Sequence, residues 1–209
     1  MAIKESTLEA DISTEIKIRN AARIVFHKKG FAATRTRDIA EEAGINLALL
    51  NYYFRSKEKL FQLIMLDTLA SFMESMVLVY NDKSTSLEQK VVLLSTKYID
   101  LLLVEPEIPL FLMSELRNNP AKLFEKINVK DMLLQSHLYK QIEEAMIDNK
   151  MPSQNSLHFL TNIMSLIMFP FIASPMLKMV GNMNDAEYLL LMEERKTLIP
   201  KWIKASILT

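Results

Sequence analysis

The chain has 209 residues, half of them hydrophobic, with three glycines, no cysteine and a formal net charge of zero. Without cysteine, disulfides, thiolate catalysis and cysteine-based zinc sites are excluded. So little glycine, beside abundant Leu, Ile, Met, Lys and Glu, argues against a strand-rich fold with many turns and for helices.

The opening MAIKESTLEADI lacks the apolar run of a signal peptide, so the expected location is the cytoplasm. From Ser13 to Lys29, Ile18, Ala21, Ala22, Val25 and Phe26 recur at three-and-four spacing, which predicts an amphipathic helix ended by Gly30. A short helix follows over Thr36 to Ala43, with Thr34 as its N-cap and Gly44 after its last turn. Asn46 caps a third helix carrying LALLNYYF, and a fourth opens at Ser56 and runs to about Tyr80. TSLE at 85 to 88 reads as a capping box for a helix ending near Glu105. Pro106 and Pro109 start a shorter one, and Pro120 begins a long helix reaching Asn149. An apolar segment from Ser156 to Val180 and a last helix capped by NDAE at 184 to 187 complete the chain. The expected fold is all-α, about nine helices with short connections.

The zero net charge hides a polarity. Residues 13 to 60 carry ten Lys/Arg against five Asp/Glu, while the remainder carries fifteen against twenty. A basic segment on an acidic body suggests a localised phosphate-binding surface. Two short helices joined by a Gly-containing turn within that segment form a helix-turn-helix, whose second helix enters the major groove. Ile39, Ala40, Ile45 and Leu50 are expected to point inward, which leaves Leu47, Ala48, Asn51 and Tyr52 outward. Asn51 has the paired donor and acceptor that read adenine, and Arg37 can fork onto guanine. Leu47 and Ala48 can meet thymine methyls or simply allow close approach. Thr36, Tyr52 and Tyr53 can donate hydroxyls to phosphates, and Lys57 adds its charge to the N–H groups of a helix start. Phe54 reads as core; Tyr53 can pack its ring and still turn its hydroxyl outward.

The stretch GFAATRTRDIAEEAGINLALLNYYFRSKEKLF, with the preceding AARIVFHKK, resembles the DNA-binding region of the tetracycline-repressor (TetR) family of bacterial regulators. The resemblance covers roughly residues 15 to 62 and rests on Phe26, Gly30, Phe31, Thr34, Arg37, Ile39, Ala40, Gly44, Leu50, Tyr53, Phe54 and Lys57. It implies that Thr36, Tyr52, Tyr53 and Lys57 contact phosphates and that Arg37, Asn46, Leu47, Ala48 and Asn51 lie at bases. The chain departs from the family where many members begin the reading helix with Ser-Lys-Gly-Thr; here Asn46-Leu47-Ala48-Leu49 stands, so no known operator carries over.

The resemblance also implies a helix-turn-helix domain over 1–57 and a helical ligand-binding and dimerisation domain over 58–209, with the last two helices pairing in a homodimer. Tyr188, Leu191, Met192, Leu198 and Ile199 form the apolar stripe expected to face the partner. Residues 159 to 180 are long enough to cross a bilayer, but Asn162, Ser165, Ser174, Lys178 and two prolines interrupt them, so no membrane span is expected. Among fourteen methionines, Met65, Met73, Met76, Met113, Met164 and Met168, with Leu69 and Phe72, are the candidate lining of a cavity for a small apolar ligand, or else plain core.

Catalysis finds little support. His27, His137 and His158 are spaced with no metal-binding partner, the Glu41-Glu42, Glu143-Glu144 and Glu193-Glu194 pairs diverge on their helices, and three glycines supply no phosphate loop. The expectation is no enzyme, no metal and no cofactor. Two functions remain: a dimeric repressor released from a palindromic operator by an apolar ligand, or a DNA-binding relative with a structural or partner-binding role and no inducer.

Overall fold

Twelve helices follow one another in the computed structural model, which describes residues 2–206, with no strand among them. They fall into two compact units, Met1–Thr68 and Leu69–Thr209, rather than dividing at residue 57. The later boundary has a local cause. Arg19 donates to Asp67 at 2.8 Å, and Phe61 stacks against Phe26 and Phe31 with ring centroids 5.2 and 4.6 Å apart. The first turns of the fourth helix therefore belong to the first unit.

The first unit holds α1 (Ala2–Ala33), α2 (Thr36–Ala43), α3 (Leu47–Tyr53) and the start of α4 (Lys57–Asn81). Gly30 interrupts α1 at φ 72°, ψ 163°, a conformation that a Cβ disfavours, so the chain bends where the sequence places a stop. Ile18, Ala22, Ile39, Leu50 and Leu60 are at most 1 % exposed and form the core, while Ile45 is only half-buried. Arg35, not Thr34, occupies the N-cap position of α2. The Arg35 N–H donates to the Asp38 carboxylate at 2.9 Å, and the Thr34 hydroxyl instead donates to the Gly30 carbonyl at 2.7 Å. Gly44 at φ 62° closes α2, giving its N–H to the carbonyls of Ala40 and Glu41.

The second unit holds the rest of α4, α5 (Leu87–Val104), α6 (Ile108–Asn118), α7 (Pro120–Ile127), α8 (Val129–Leu134), α9 (His137–Ile147), α10 (Ser156–Ile172), α11 (Ser174–Gly181) and α12 (Asp185–Ser206). The count exceeds nine because two expected helices are broken. Asn128 in the left-handed region at φ 42° ends α7, and the Ser136 hydroxyl caps α9 by accepting from the Tyr139 N–H at 3.1 Å. At Ala173 the apolar segment bends by 70°, so residues 156–181 form two helices and not one straight rod. The α4 helix is itself long and apolar enough to cross a membrane by length and composition, and 44 % of that apolar window is buried within the protein.

The capping box of α5 sits one residue later than TSLE suggests. The Gln89 N–H donates to the Ser86 hydroxyl at 3.2 Å and the Ser86 N–H to the Gln89 side chain at 2.8 Å. Thr85 is occupied elsewhere: its carbonyl and hydroxyl, with the Asp82 carbonyl, surround the ammonium of Lys90, a residue fully buried in α5. Desolvation lowers the Lys90 pKa, offset in part by Asp82.

The α12 stripe expected to face a partner subunit is largely internal. Tyr188 is 6 % exposed, Met192 1 % and Ile199 0 %, because α12 packs along α5 and α10 of its own chain. Leu189, Leu190 and Trp202 of the same helix are exposed. Pro170 lies inside α10 and supplies no N–H to the Leu166 carbonyl four residues back. Arg195 of α12 fills that gap with a guanidinium N–H at 2.6 Å, and the Tyr188 hydroxyl donates to the Pro170 carbonyl at 3.0 Å.

Candidate nucleic-acid interface and an apolar cavity

The short helix α3 is held by its ends and by one deeply buried side chain. The Asn46 side-chain oxygen accepts from the Leu49 N–H at 2.8 Å, and the Phe54 N–H reaches the Leu50 carbonyl at 2.8 Å. Leu50 is 1 % exposed, so the other side of α3 is left to solvent. Ala48 and Asn51 are exposed there, Tyr52 is 77 % exposed, and Leu47 is half-buried. Tyr53 is half-buried and Phe54 buried, with the Tyr52 and Tyr53 rings edge to face at 5.3 Å. Because Asn46 uses its oxygen as a cap, only its amide N–H groups are free of that duty.

Around this face stand exposed Arg35, Arg37, Arg55 and Lys59 and half-buried Thr36. Lys57 is engaged differently from the sequence expectation. Its ammonium donates to the carbonyls of Phe31 at 2.8 Å and Thr34 at 2.9 Å, and lies 4.3 Å from the centre of the Phe31 ring. Two of its three N–H donors thus close the end of α1 where Gly30 has interrupted the helical ladder. Sequence spacing alone gave no sign of this contact, which joins residues more than twenty positions apart. Asp38 ties the same junction together: it accepts the Arg35 N–H and pairs with Lys29 at 3.1 Å, and these hold its carboxyl below the ordinary range.

Within the second unit lies a cavity of about 700 Å³. Of the candidate lining residues, Leu69, Met73, Met113, Met164 and Met168 are on its wall. Met65, Phe72 and Met76 are not. Met65 sits a turn earlier, buried in the first unit, Met76 is fully buried a turn beyond Met73, and Phe72 is turned aside with its ring edge-on to Tyr98 at 4.7 Å. Much of the wall comes from residues that sequence reading missed. They include Tyr98, Leu101 and Leu102 of α5, Leu112 and Leu116 of α6, and Leu123, Phe124 and Ile127 of α7. The apolar stripe of α7 was a usable signal, hidden by treating residues 120 to 149 as one helix. Met113, Phe124 and Phe169 are about half exposed, at 50, 51 and 56 %, and mark the open side. Among the described residues, no Lys, Arg, His, Asp or Glu lines this cavity.

An outward-facing second helix of a helix-turn-helix, ringed by arginine and lysine, defines a DNA-binding regulator. The family described as bacterial regulatory proteins, tetR family, matches residues 18–64. A probable HTH-type transcriptional regulator, YttP, of Bacillus subtilis (strain 168) is 24 % identical over 201 residues, 93 % of this chain and 94 % of that protein. A TetR transcription regulator from Haloarcula marismortui shares the fold with TM-score 0.63 and 19 % identity, covering 93 % of this chain and 98 % of the other. The transcriptional regulator FadR from Bacillus subtilis, solved in complex with stearoyl-CoA, has TM-score 0.55 and 20 % identity over 88 % and 96 % of the two chains. The match to the tetR family thus falls on the helix-turn-helix unit, and the fold of the chain is shared with solved TetR-family regulators.

Proposed function

We propose that this regulator is a cytoplasmic homodimeric repressor that leaves a palindromic operator when a small apolar ligand enters the second unit. The observation that carries the ligand half of this reading is the cavity of about 700 Å³, within the range of roughly 300–1,000 Å³ usual for small-molecule sites. Its wall of aliphatic, thioether and aromatic side chains suits an apolar chain, and the structural likeness to a FadR bound to stearoyl-CoA supports the same class. A role without an inducer would be served better by a filled interior, so the cavity counts against that alternative.

In this reading Arg37, Asn46, Leu47, Ala48 and Asn51 approach bases, and Thr36, Tyr52 and Tyr53 approach phosphates. Lys57 positions the α1–α2 junction and has one N–H left for a phosphate. Exposed Leu189 and Leu190 of α12 and Leu157 of α10 offer apolar surface for a second copy. The helix α4 runs from Lys57 to Asn81 and lines the cavity through Leu69 and Met73, which gives ligand occupancy a covalent route to the reading heads.

Fluorescence anisotropy of an operator duplex, titrated with protein in the presence and absence of long-chain apolar compounds, tests the proposal. A ligand that shifts the dissociation constant at least tenfold, about 1.4 kcal/mol of coupling, supports it. Apolar compounds that bind the protein and leave operator affinity unchanged overturn it.

A further inference from the structure

A pair of phenol hydroxyls lies at the apolar wall of the large cavity. The hydroxyls of Tyr80 and Tyr98 are 2.8 Å apart, and the Tyr98 hydroxyl donates to the sulfur of Met73 at 3.5 Å. Tyr98 and Met73, with Met164, form the partition between the large cavity and a second void of about 100 Å³ that also touches Tyr80. Burial pushes both phenol pKa values up, that of Tyr98 well above the usual range, so both groups keep their protons and remain donors. With Tyr98 donating to sulfur, Tyr80 donates to Tyr98. The relay therefore runs Tyr80 to Tyr98 to Met73, and its last proton ends on a thioether, a weak acceptor.

That leaves a donor short of a good partner at the inner wall of an apolar cavity. A carbonyl oxygen is a far better acceptor than sulfur, and a relay of two hydroxyls polarises its terminal O–H. Charge is a different matter. Among the described residues neither cavity is lined by a cationic side chain, and an unpaired carboxylate buried there costs more than one hydroxyl repays. Among the described residues the only other lining hydroxyl, Ser165, is exposed.

Resting on the ligand-binding reading above, we propose that the ligand is an elongated apolar molecule with a neutral carbonyl oxygen at its inner end, a ketone, ester or thioester, which takes the Tyr98 hydroxyl from Met73. Tyr98 is then the specificity-determining residue of the site, and any charged group of the ligand stays at the open side marked by Met113, Phe124 and Phe169.

The test uses the full chain and three probes of similar length, 2-tridecanone, tridecane and dodecanoate, each competing with the fluorescent probe N-phenyl-1-naphthylamine. Tyr98→Phe keeps the ring and removes the donor. It is expected to weaken 2-tridecanone about three- to tenfold, the effect of one net hydrogen bond, and to leave tridecane and dodecanoate within twofold. Met73→Leu removes the competing acceptor and is expected to raise the affinity for 2-tridecanone about two- to threefold relative to tridecane. An equal response of ketone and alkane to both substitutions overturns the carbonyl assignment while leaving the cavity a ligand site. Failure of all three compounds to displace the fluorescent probe overturns the ligand-binding reading itself.

Discussion

Arg195 donates a guanidinium N–H to the Leu166 carbonyl at 2.6 Å, and that carbonyl lacks its helical partner because Pro170 stands four residues further on. The same guanidinium stacks over Trp202 at 5.2 Å. A defect in α10, whose wall faces the cavity, is thereby repaired from α12. Replacing Arg195 with Met should destabilise the fold by about 1–3 kcal/mol, read from urea unfolding midpoints. In a Pro170→Ala background the α10 ladder can supply its own N–H, so the same replacement should cost clearly less. Equal costs in the two backgrounds would show that Arg195 acts through something other than the orphaned carbonyl.

Lys57 and Lys59 are separated by two positions and should behave differently. Lys57→Ala leaves the carbonyls of Phe31 and Thr34 without their ammonium donor. The expected result is a loss of about 1–3 kcal/mol in stability, with a weaker DNA affinity whose salt dependence is little altered. Lys59 is exposed. Lys59→Ala should leave stability within about 0.5 kcal/mol of the parent and lower the salt slope by about one if it meets a phosphate. Urea unfolding and DNA titrations across a salt series separate the two roles.

Asp38 gives a pH dependence with a definite sign. The Arg35 N–H first, and Lys29 second, hold its carboxyl below the ordinary carboxylate range. A carboxyl whose pKa falls on folding stabilises the fold above its unfolded value, near ~3.9, and that contribution disappears as the pH drops through the folded value. Wild type should therefore exceed Asp38→Asn in stability at about pH 5, and the gap should narrow by about pH 2.5. A gap that stays constant or widens on acidification contradicts the assignment.

The parts of the fold that were legible in the sequence are those set by local chemistry. Gly30 and Gly44 adopt positive φ where a helix must end, and Asn46 and Asn184 cap the helices they precede. Proline marked the starts of α6 and α7 for the same reason. Asn128 was not legible as a break, because asparagine enters the left-handed region only when its surroundings favour it. The shift from Thr85 to Ser86 as the cap of α5 depends on where the buried Lys90 seeks its acceptors. Tertiary partners likewise decide Lys57 and the α12 stripe, since helical periodicity shows that a face is apolar without showing what covers it. The exposed side of α3 was readable because seven residues leave few alternatives once Leu50 points inward.

The central claim is that the face of α3 bearing Asn51 reads DNA in two copies. Its most direct test is selection of binding duplexes from a random library by the full chain, run in parallel with Asn51→Ala. The account predicts an inverted repeat with two equal half-sites, and for the variant a preference relaxed at one symmetry-related position in each half, worth about 1–3 kcal/mol. Recovery of no preferred sequence, of a single unrepeated site, or of the same fully specified repeat by the variant would contradict it.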